Sequence, residues 1–238
     1  CENGSLHNLR HSPNDDYSMS DNSIHSIAED SEGGMWVGSF FGGINYYSEY
    51  TSQFAKICPG DMPGDLKGKS ISEMCEDRDG NLWIATEDAG LNFYDSRART
   101  FSSGFIDATN VHALALVGDS ELWVGTYMDG LYVLDVNTGR HRHFTNDGKP
   151  GSLIDDSVYS IYKGYDNAIW IGTIKGLCRY DASSGKFEHV RGDLITSSVN
   201  DIAEDIDGHL WFATIGQGVF RYDGRNDVWD NPDMGRDA

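Results

Sequence analysis

Carboxylates are the commonest reactive groups in this chain of 238 residues, with 38 Asp and Glu against 18 Lys and Arg and a formal charge of −20. So many acids make an acid–base pair easy to draw and therefore unspecific. Sharper arrangements are missing from the sequence: there is no G-x-S-x-G elbow, no phosphate loop, no H-E-x-x-H and no cysteine with an evident histidine partner. Cys1, Cys58, Cys75 and Cys178 form neither a C-x-x-C pair nor a zinc spacing, and they do not fix the redox compartment. His141 and His143 stand two apart, on one face of an extended strand, but zinc needs three or four ligands and no third is found. The Asp-x-x-Gly stretches at Asp30, Asp77 and Asp205 lack the alternating acids and distal Glu of a calcium loop, so they read as tight turns. Neither a metal nor a cofactor is expected, and no catalytic set is assigned.

Any functional residue must instead be placed by a repeat. Trp36, Trp83, Trp123, Trp170 and Trp211 each sit in the same phrase: Met35-Trp36-Val37-Gly38-Ser39, Leu82-Trp83-Ile84-Ala85-Thr86, Leu122-Trp123-Val124-Gly125-Thr126, Ile169-Trp170-Ile171-Gly172-Thr173 and Leu210-Trp211-Phe212-Ala213-Thr214. Nine residues before each Trp comes Ile27, Met74, Leu114, Ile161 or Ile202, and twelve before comes Ile24, Ile71, Val111, Val158 or Val199. A Gly followed by an apolar residue closes each phrase, from Gly43-Ile44 to Gly218-Val219, one residue earlier in the fourth copy. Each copy reads as four short strands: one before the turn, one carrying the Trp, one after the Gly, and one bearing Phe54, Phe101, Phe144, Phe187 or Trp229. Four strands in about 40 to 47 residues, repeated, is the arithmetic of a β-propeller blade. The fold class is all-β, with five four-stranded antiparallel repeats, over about 23–69, 70–109, 110–156, 157–197 and 198–238. Residues 1–22 are expected to hold the last strand of a preceding blade (Gly4 to Arg10) and a linker. The five Trp are read as filler between blades, and Cys75, where sister copies have Ala28, Ala115 and Ala203, as a small buried residue.

The phrase I-x-x-I-x-E-D-x-x-G-x-L-W-[VI]-[GA]-T followed by G-L-x-x-Y-D resembles the two-component regulator propeller repeat, over Ser23 to about Trp229. The third and fourth copies depart from it, with Leu116-Val117 and Lys163-Gly164 in place of Glu-Asp. The resemblance implies the periplasmic sensor region of a hybrid histidine kinase, working by binding and not as an enzyme. It implies a ligand that is often a glycan fragment, a kinase module elsewhere in the protein and a homodimer; the five blades are expected either to belong to a larger propeller of about seven or to close as a five-bladed ring, which the range of blade numbers also allows. The alternatives are a stand-alone lyase of the streptogramin-lyase type, or a propeller lectin.

Net charge and a pI near 4.5 argue strongly against nucleic acid as a partner and disfavour adsorption to anionic lipid, because both are bound through Lys and Arg clusters. No apolar run reaches the ~18 residues of a membrane helix, so this segment is not expected to insert. A ligand site is then sought where the copies differ while their apolar frame stays. Eleven residues before each Trp stand His25, Ser72, His112, Tyr159 and Asn200, and the loops after the Trp strand carry Phe40-Phe41, Glu87-Asp88, Tyr127-Met128-Asp129, Ile174-Lys175 and Ile215-Gly216-Gln217. His25, Phe41, Glu87, His112, Tyr127, Asp129, Tyr159, Lys175, Asn200 and Gln217 are the candidate ligand-binding residues. Antiparallel pairing should bring them to one mouth of the blade array, opposite the Asp-x-x-Gly turns. Aromatics beside carboxylates and amides suit a sugar, which offers a face to stack and hydroxyls to bond.

Overall fold

The structure, a computed structural model, describes residues 8–13, 15, 18–29, 34–39, 41–47, 57 and 59–232. Cys1, Cys58, Asp30, Phe40 and Phe54 lie outside them, as do residues 4–7 of the expected leading strand; residues 8–10 are not in a strand. The chain divides into two compact units, 1–57 and 58–238. Among its described residues unit 1 holds a three-stranded sheet of β1 (Ile24–Glu29), β2 (Met35–Ser39) and β3 (Ile44–Tyr47). Unit 2 holds four four-stranded sheets. The first comprises β4 (Ile71–Glu76), β5 (Leu82–Thr86), β6 (Gly90–Asp95) and β7 (Thr100–Ser103). The second comprises β8 (Val111–Val117), β9 (Glu121–Thr126), β10 (Leu131–Asp135) and β11 (His141–Phe144). The third comprises β12 (Val158–Lys163), β13 (Ile169–Thr173), β14 (Gly176–Asp181) and β15 (Lys186–Val190). The fourth comprises β16 (Val199–Glu204), β17 (His209–Thr214), β18 (Gly218–Asp223) and β19 (Val228–Asp230).

Each sheet is an antiparallel meander in chain order, as short strands joined by tight turns dictate. This is the propeller blade the repeat announced. Within unit 2 the first strands of successive blades lie side by side, β4 by β8, β8 by β12 and β12 by β16. Side-chain bonds cross between them: Ser72 Oγ donates to Val111 O at 2.5 Å and Ser160 Oγ to Val199 O at 3.1 Å. The small residue after Trp-[VI] has a physical cause. A Cβ on Gly125 would stand 2.6 Å from Val158 of the next blade, so the sheets approach too closely for a larger side chain.

The cores lie between consecutive sheets. Trp83 packs with Val111, Leu114, Leu122 and Val124 of the following blade. Trp123 meets Val158, Ile169 and Ile171, and Trp170 meets Val199, Ile202, Leu210 and Phe212. These three indoles are at most 3% exposed, and their Nε1 groups are buried without a hydrogen-bond acceptor. Leaving such a donor unpaired costs about 1–3 kcal/mol, so apolar packing must outweigh it. Trp36 and Trp211 depart from the expected filler role: Trp36 is 43% exposed and Trp211 is half-buried, its Nε1 donating to Asp205 Oδ2 at 2.8 Å. Each stands on the last blade of its own unit, where no later sheet of that unit covers it. Cys75 is half-buried and not fully buried as expected, whereas Cys178 is buried and its thiol is pushed up to about 12 by loss of solvent.

The Asp-x-x-Gly turns are built alike. Asp77 Oδ1 accepts from Asp79 N and Asn81 N, both at 2.9 Å, and Asp205 Oδ1 accepts from Asp207 N at 3.0 Å and His209 N at 2.9 Å. The indole of Trp211 and the backbone and side chain of His209 hold the Asp205 carboxyl down to about 2, against an ordinary 3.8.

Two outcomes follow from this packing. Trp123→Ala should lower stability by about 3–5 kcal/mol in denaturant unfolding, the range for deleting a fully enclosed aromatic, while Trp211→Ala should cost clearly less. Because the folded-state value of Asp205 is depressed, its carboxylate stabilises the fold fully above 3.8 and loses that contribution as pH falls towards 2. In thermal melts Asp205→Asn should therefore narrow the stability gap to the parent protein across that interval and leave the gap widest above it.

Candidate functional site

The mouth opposite the Asp-x-x-Gly turns is assembled by two backbone devices. The first is a bulge. In every first strand the pairing with the Trp strand slips by one residue, between Ile24 and Ser26, Ile71 and Glu73, Val111 and Ala113, Val158 and Ser160, and Val199 and Asp201. The extra residue is the one eleven before the Trp. It drops out of the one-to-one register with the Trp strand, and a bulge re-aims its side chain away from the regular pleat. The second is a hydrogen bond that seats the loop after the Trp strand on the segment leading into the first strand. Glu87 N donates to Ser70 O, Tyr127 N to Asn110 O, Ile174 N to Ser157 O and Ile215 N to Ser198 O, all between 2.9 and 3.1 Å. The residue four after the Trp is thereby fixed beside the bulged one.

The same loops are closed from within. Thr86, Thr126, Thr173 and Thr214 each donate their Oγ1 to the carbonyl of the following Gly, at 2.9, 2.8, 2.9 and 2.6 Å, and Ser39 does so to Gly43 at 2.9 Å. That explains the Thr ending the phrase. Gly90 shows why a glycine follows: its φ is +77°, its N–H donates to Thr109 O at 2.8 Å, and an added Cβ would stand 2.5 Å from Ala108 O. The fourth copy, shorter by one residue, turns through Ile174 and Lys175 alone, with Thr173 paired to Gly176.

In unit 2 these devices bring four of the candidate residues together. The rings of His112 and Tyr159 lie 4.7 Å apart and tilted, Tyr127 stands edge-on to His112 at 6.1 Å, and Tyr127 and Tyr159 meet at 6.5 Å and 80°. Glu87 Oε1 is 3.9 Å from His112 Nδ1, and Glu87 Oε2 accepts from Ser70 Oγ at 3.1 Å. Tyr127 is 41% exposed, while the His112 side chain is 17% exposed and Tyr159 half-buried. Burial, followed by the charges of Tyr127 and Glu87, pushes the Tyr159 phenol up, so it remains a neutral donor. Two rings nearly at right angles form a corner with an apolar wall and polar tips. Beside it Tyr127, Met128, Asp155, Ser157 and Lys175 line an open cavity of about 580 Å3. Met128 has a φ of +64° and its N–H donates to Ser157 Oγ at 3.3 Å, a backbone conformation that costs a side-chain-bearing residue energy.

The other candidates are placed differently. Lys175 lies on the cavity wall, its Nζ 2.8 Å from Asp155 Oδ2. Asp129 turns outward, accepting from Tyr132 Oη at 2.7 Å, while its carbonyl stands 2.6 Å from His143 Nε2. Asn200 occupies the β16 bulge and bonds Ser198 Oγ at 2.6 Å. Gln217 holds the backbone, accepting from Thr196 N at 2.9 Å and donating to Leu194 O at 3.1 Å. His25, in the bulge of β1, and Phe41, 85% exposed, belong to unit 1. Ser157 and Asp155 were not singled out from the sequence. The polar residue thirteen before each Trp (Ser23, Ser70, Asn110, Ser157 and Ser198) is a signal that could have found the loop seat.

His141 and His143 do share a face, both packed on Tyr132, with His143 stacked on it at 4.0 Å. Among the described residues, Asp205, Asp207 and His209 come close enough to share an ion, but Asp205 is already committed to its turn and to Trp211. This arrangement is explained by the turn.

Comparison with protein families matches residues 18–41, 65–88, 152–175 and 193–216 to the two component regulator propeller. The third copy falls outside those matches, although its sheet has the same order and bulge as its sisters. Among solved structures the chain is similar to the extracellular domain assigned to the hybrid two component system BT4673 from B. thetaiotaomicron, at 27% identity and a TM-score of 0.63, over 88% of this chain and 27% of that one. The corresponding domain of BT3049 from the same organism matches at 23% identity and a TM-score of 0.65, over 92% of this chain and 29% of that one. Virginiamycin B lyase from Staphylococcus aureus, at 14% identity and a TM-score of 0.56 over 93% of this chain and 74% of that one, shares the fold alone. The chain thus spans only 27 to 29% of the length of the two-component relatives. No curated protein matches it.

Proposed function

We propose that this chain, four segments of which match the two component regulator propeller, is a ligand-sensing module of the extracytoplasmic part of a hybrid two-component regulator. It works by binding a glycan fragment and passing the change to a histidine kinase module. The observation that carries this reading is the corner of His112, Tyr127 and Tyr159 with Glu87 at its edge. A pyranose presents an apolar C–H face that packs on an aromatic ring, and its hydroxyls pair with carboxylate, imidazole and phenol groups. The corner supplies both. Its members come from three consecutive blades, so a ligand held there touches several sheets at once. Signalling then requires that the ligand favour one of two packings of this module on further blades or on a second copy, because only differential affinity can shift such an equilibrium. No helix of the described chain is long and apolar enough to cross a membrane.

The test uses Tyr127→Ala and His112→Ala. Neither residue fills the inter-sheet core, so both variants should keep the parent melting behaviour within a few degrees. Binding of a cognate oligosaccharide in calorimetry should weaken at least about tenfold, the order expected for losing one stacking wall. Variants that fold and bind as the parent does would move the site away from this mouth. In a complete regulator, deleting these blades should abolish ligand-dependent kinase response, and an unchanged response would refute the sensing role.

A further inference from the structure

The rim around the aromatic corner is acidic in a way the fold does not require. Glu87 and Asp88 follow β5, Asp129 follows β9, and Asp155 and Asp156 lead into β12. One residue beyond their bulges, Glu73 and Asp201 stand on the inner strands, and burial together with the charge of Asp201 pushes the Glu73 carboxyl up. Several of these acids serve as backbone anchors. Asp88 accepts from Lys69 N at 2.9 Å, Asp156 from Asn146 N at 2.6 Å and Asp155 from Ser157 N at 2.8 Å. Cations on the same rim are few and mostly matched. Lys175 is bonded to Asp155, Lys149 to Asp147 at 2.9 Å, and Arg191, at the mouth end of β15, to Asp193 at 3.2 Å. Lys69 is exposed beside Asp88. A protonated His112 would meet Glu87 before any ligand.

Binding of carboxylated or sulfated sugars calls for the opposite arrangement, an arginine fork or unmatched lysines aimed at the anion. We infer that this site selects by charge: it accepts uncharged oligosaccharides and rejects those carrying uronic acid or sulfate groups. The inference rests on the glycan reading above and deepens it by naming the sugar class. The mechanism is repulsion as much as attraction. An anionic ring seated on Tyr127 and Tyr159 would place its charge against Glu87, and among the described rim cations only Lys69 is without a carboxylate partner for its ammonium, whereas a neutral ring offers only hydroxyls. Specificity obtained this way costs the neutral ligand nothing.

The experiment titrates the protein calorimetrically with matched tetrasaccharides, neutral and uronate, built on glucose, galactose and mannose. Where a neutral sugar binds, its uronate counterpart should bind at least about tenfold more weakly at low salt, and the gap should shrink as salt rises because exposed charges are screened. Glu87→Gln should narrow the same gap by strengthening the uronate relative to the neutral sugar. A uronate that binds as tightly as its neutral partner overturns charge selection while leaving the glycan reading intact. A gap that ignores both salt and Glu87→Gln overturns the electrostatic cause. If no sugar of the panel binds, the glycan reading itself falls and this inference with it.

Discussion

Everything in unit 2 depends on one contact made three times: an indole of one sheet buried in the apolar face of the next. Trp83, Trp123 and Trp170 are each enclosed so completely that their N–H groups find no acceptor. That geometry sets the rest. It demands a small residue two positions after the Trp, where Gly125 already touches Val158, and it demands apolar residues on the facing strands of the next blade. It also makes each blade's stability a property of the pair. A four-stranded sheet buries little by itself, and the quasi-linear stacking of repeats supplies what the single sheet lacks. Trp211 shows the converse, since without a covering sheet in its unit it turns its N–H to Asp205 and so ties the outer face to the turn.

The mouth is free to vary because the packing ends before it begins. The bulge in every first strand takes the eleventh residue before the Trp out of the ladder, and the backbone bond from the loop fixes the fourth residue after it, whatever the side chains are. Backbone groups do the positioning, so side chains at those points can vary, even where one is used structurally, as Ser72 is in tying its strand to Val111 of the next blade. This is why His112 and Tyr127 of one blade can meet Tyr159 of the next although the three share no motif. Gln217 shows another use of the same loop: in the last blade its side chain holds the backbone of Leu194 and Thr196.

How much of this could be read from the sequence follows from which features repeat. Trp spacing, the Gly after it and the apolar residues nine and twelve before it recur in five copies, and they gave the strand order within a blade and the face on which the variable residues lie. Features set by register were hidden. A bulge has no residue signature here, being filled by His, Ser, His, Tyr and Asn in turn, so the sequence located His112 and Tyr159 at the mouth without showing that they would be re-aimed. Side-chain direction was equally invisible. Asp129 turns to Tyr132 on the third strand of its own sheet because a phenol is offered there, a contact three residues along the chain that no repeat comparison isolates. The shared phrase also hid the difference among the tryptophans, since identical residues are buried or half-exposed according to whether another sheet of the same unit follows.

Charge joins scaffold and mouth in one economy of residues. A chain with −20 formal charge must place its acids where they do least harm, and the structure puts many of them at turns, where carboxylates satisfy backbone N–H groups that would otherwise face solvent. At the mouth the same use of Asp88, Asp155 and Asp156 as backbone anchors leaves a negative rim as its by-product. The acids there are held by structural bonds and cannot be exchanged for lysines without loosening the loops they pin. A site built on this frame therefore starts with a bias against anions that variation of His112, Tyr127 or Tyr159 alone would not remove. To recognise an anionic ligand it would have to add an arginine over an anchored carboxylate, and the pairing of Lys175 with Asp155 shows what such a cation meets first.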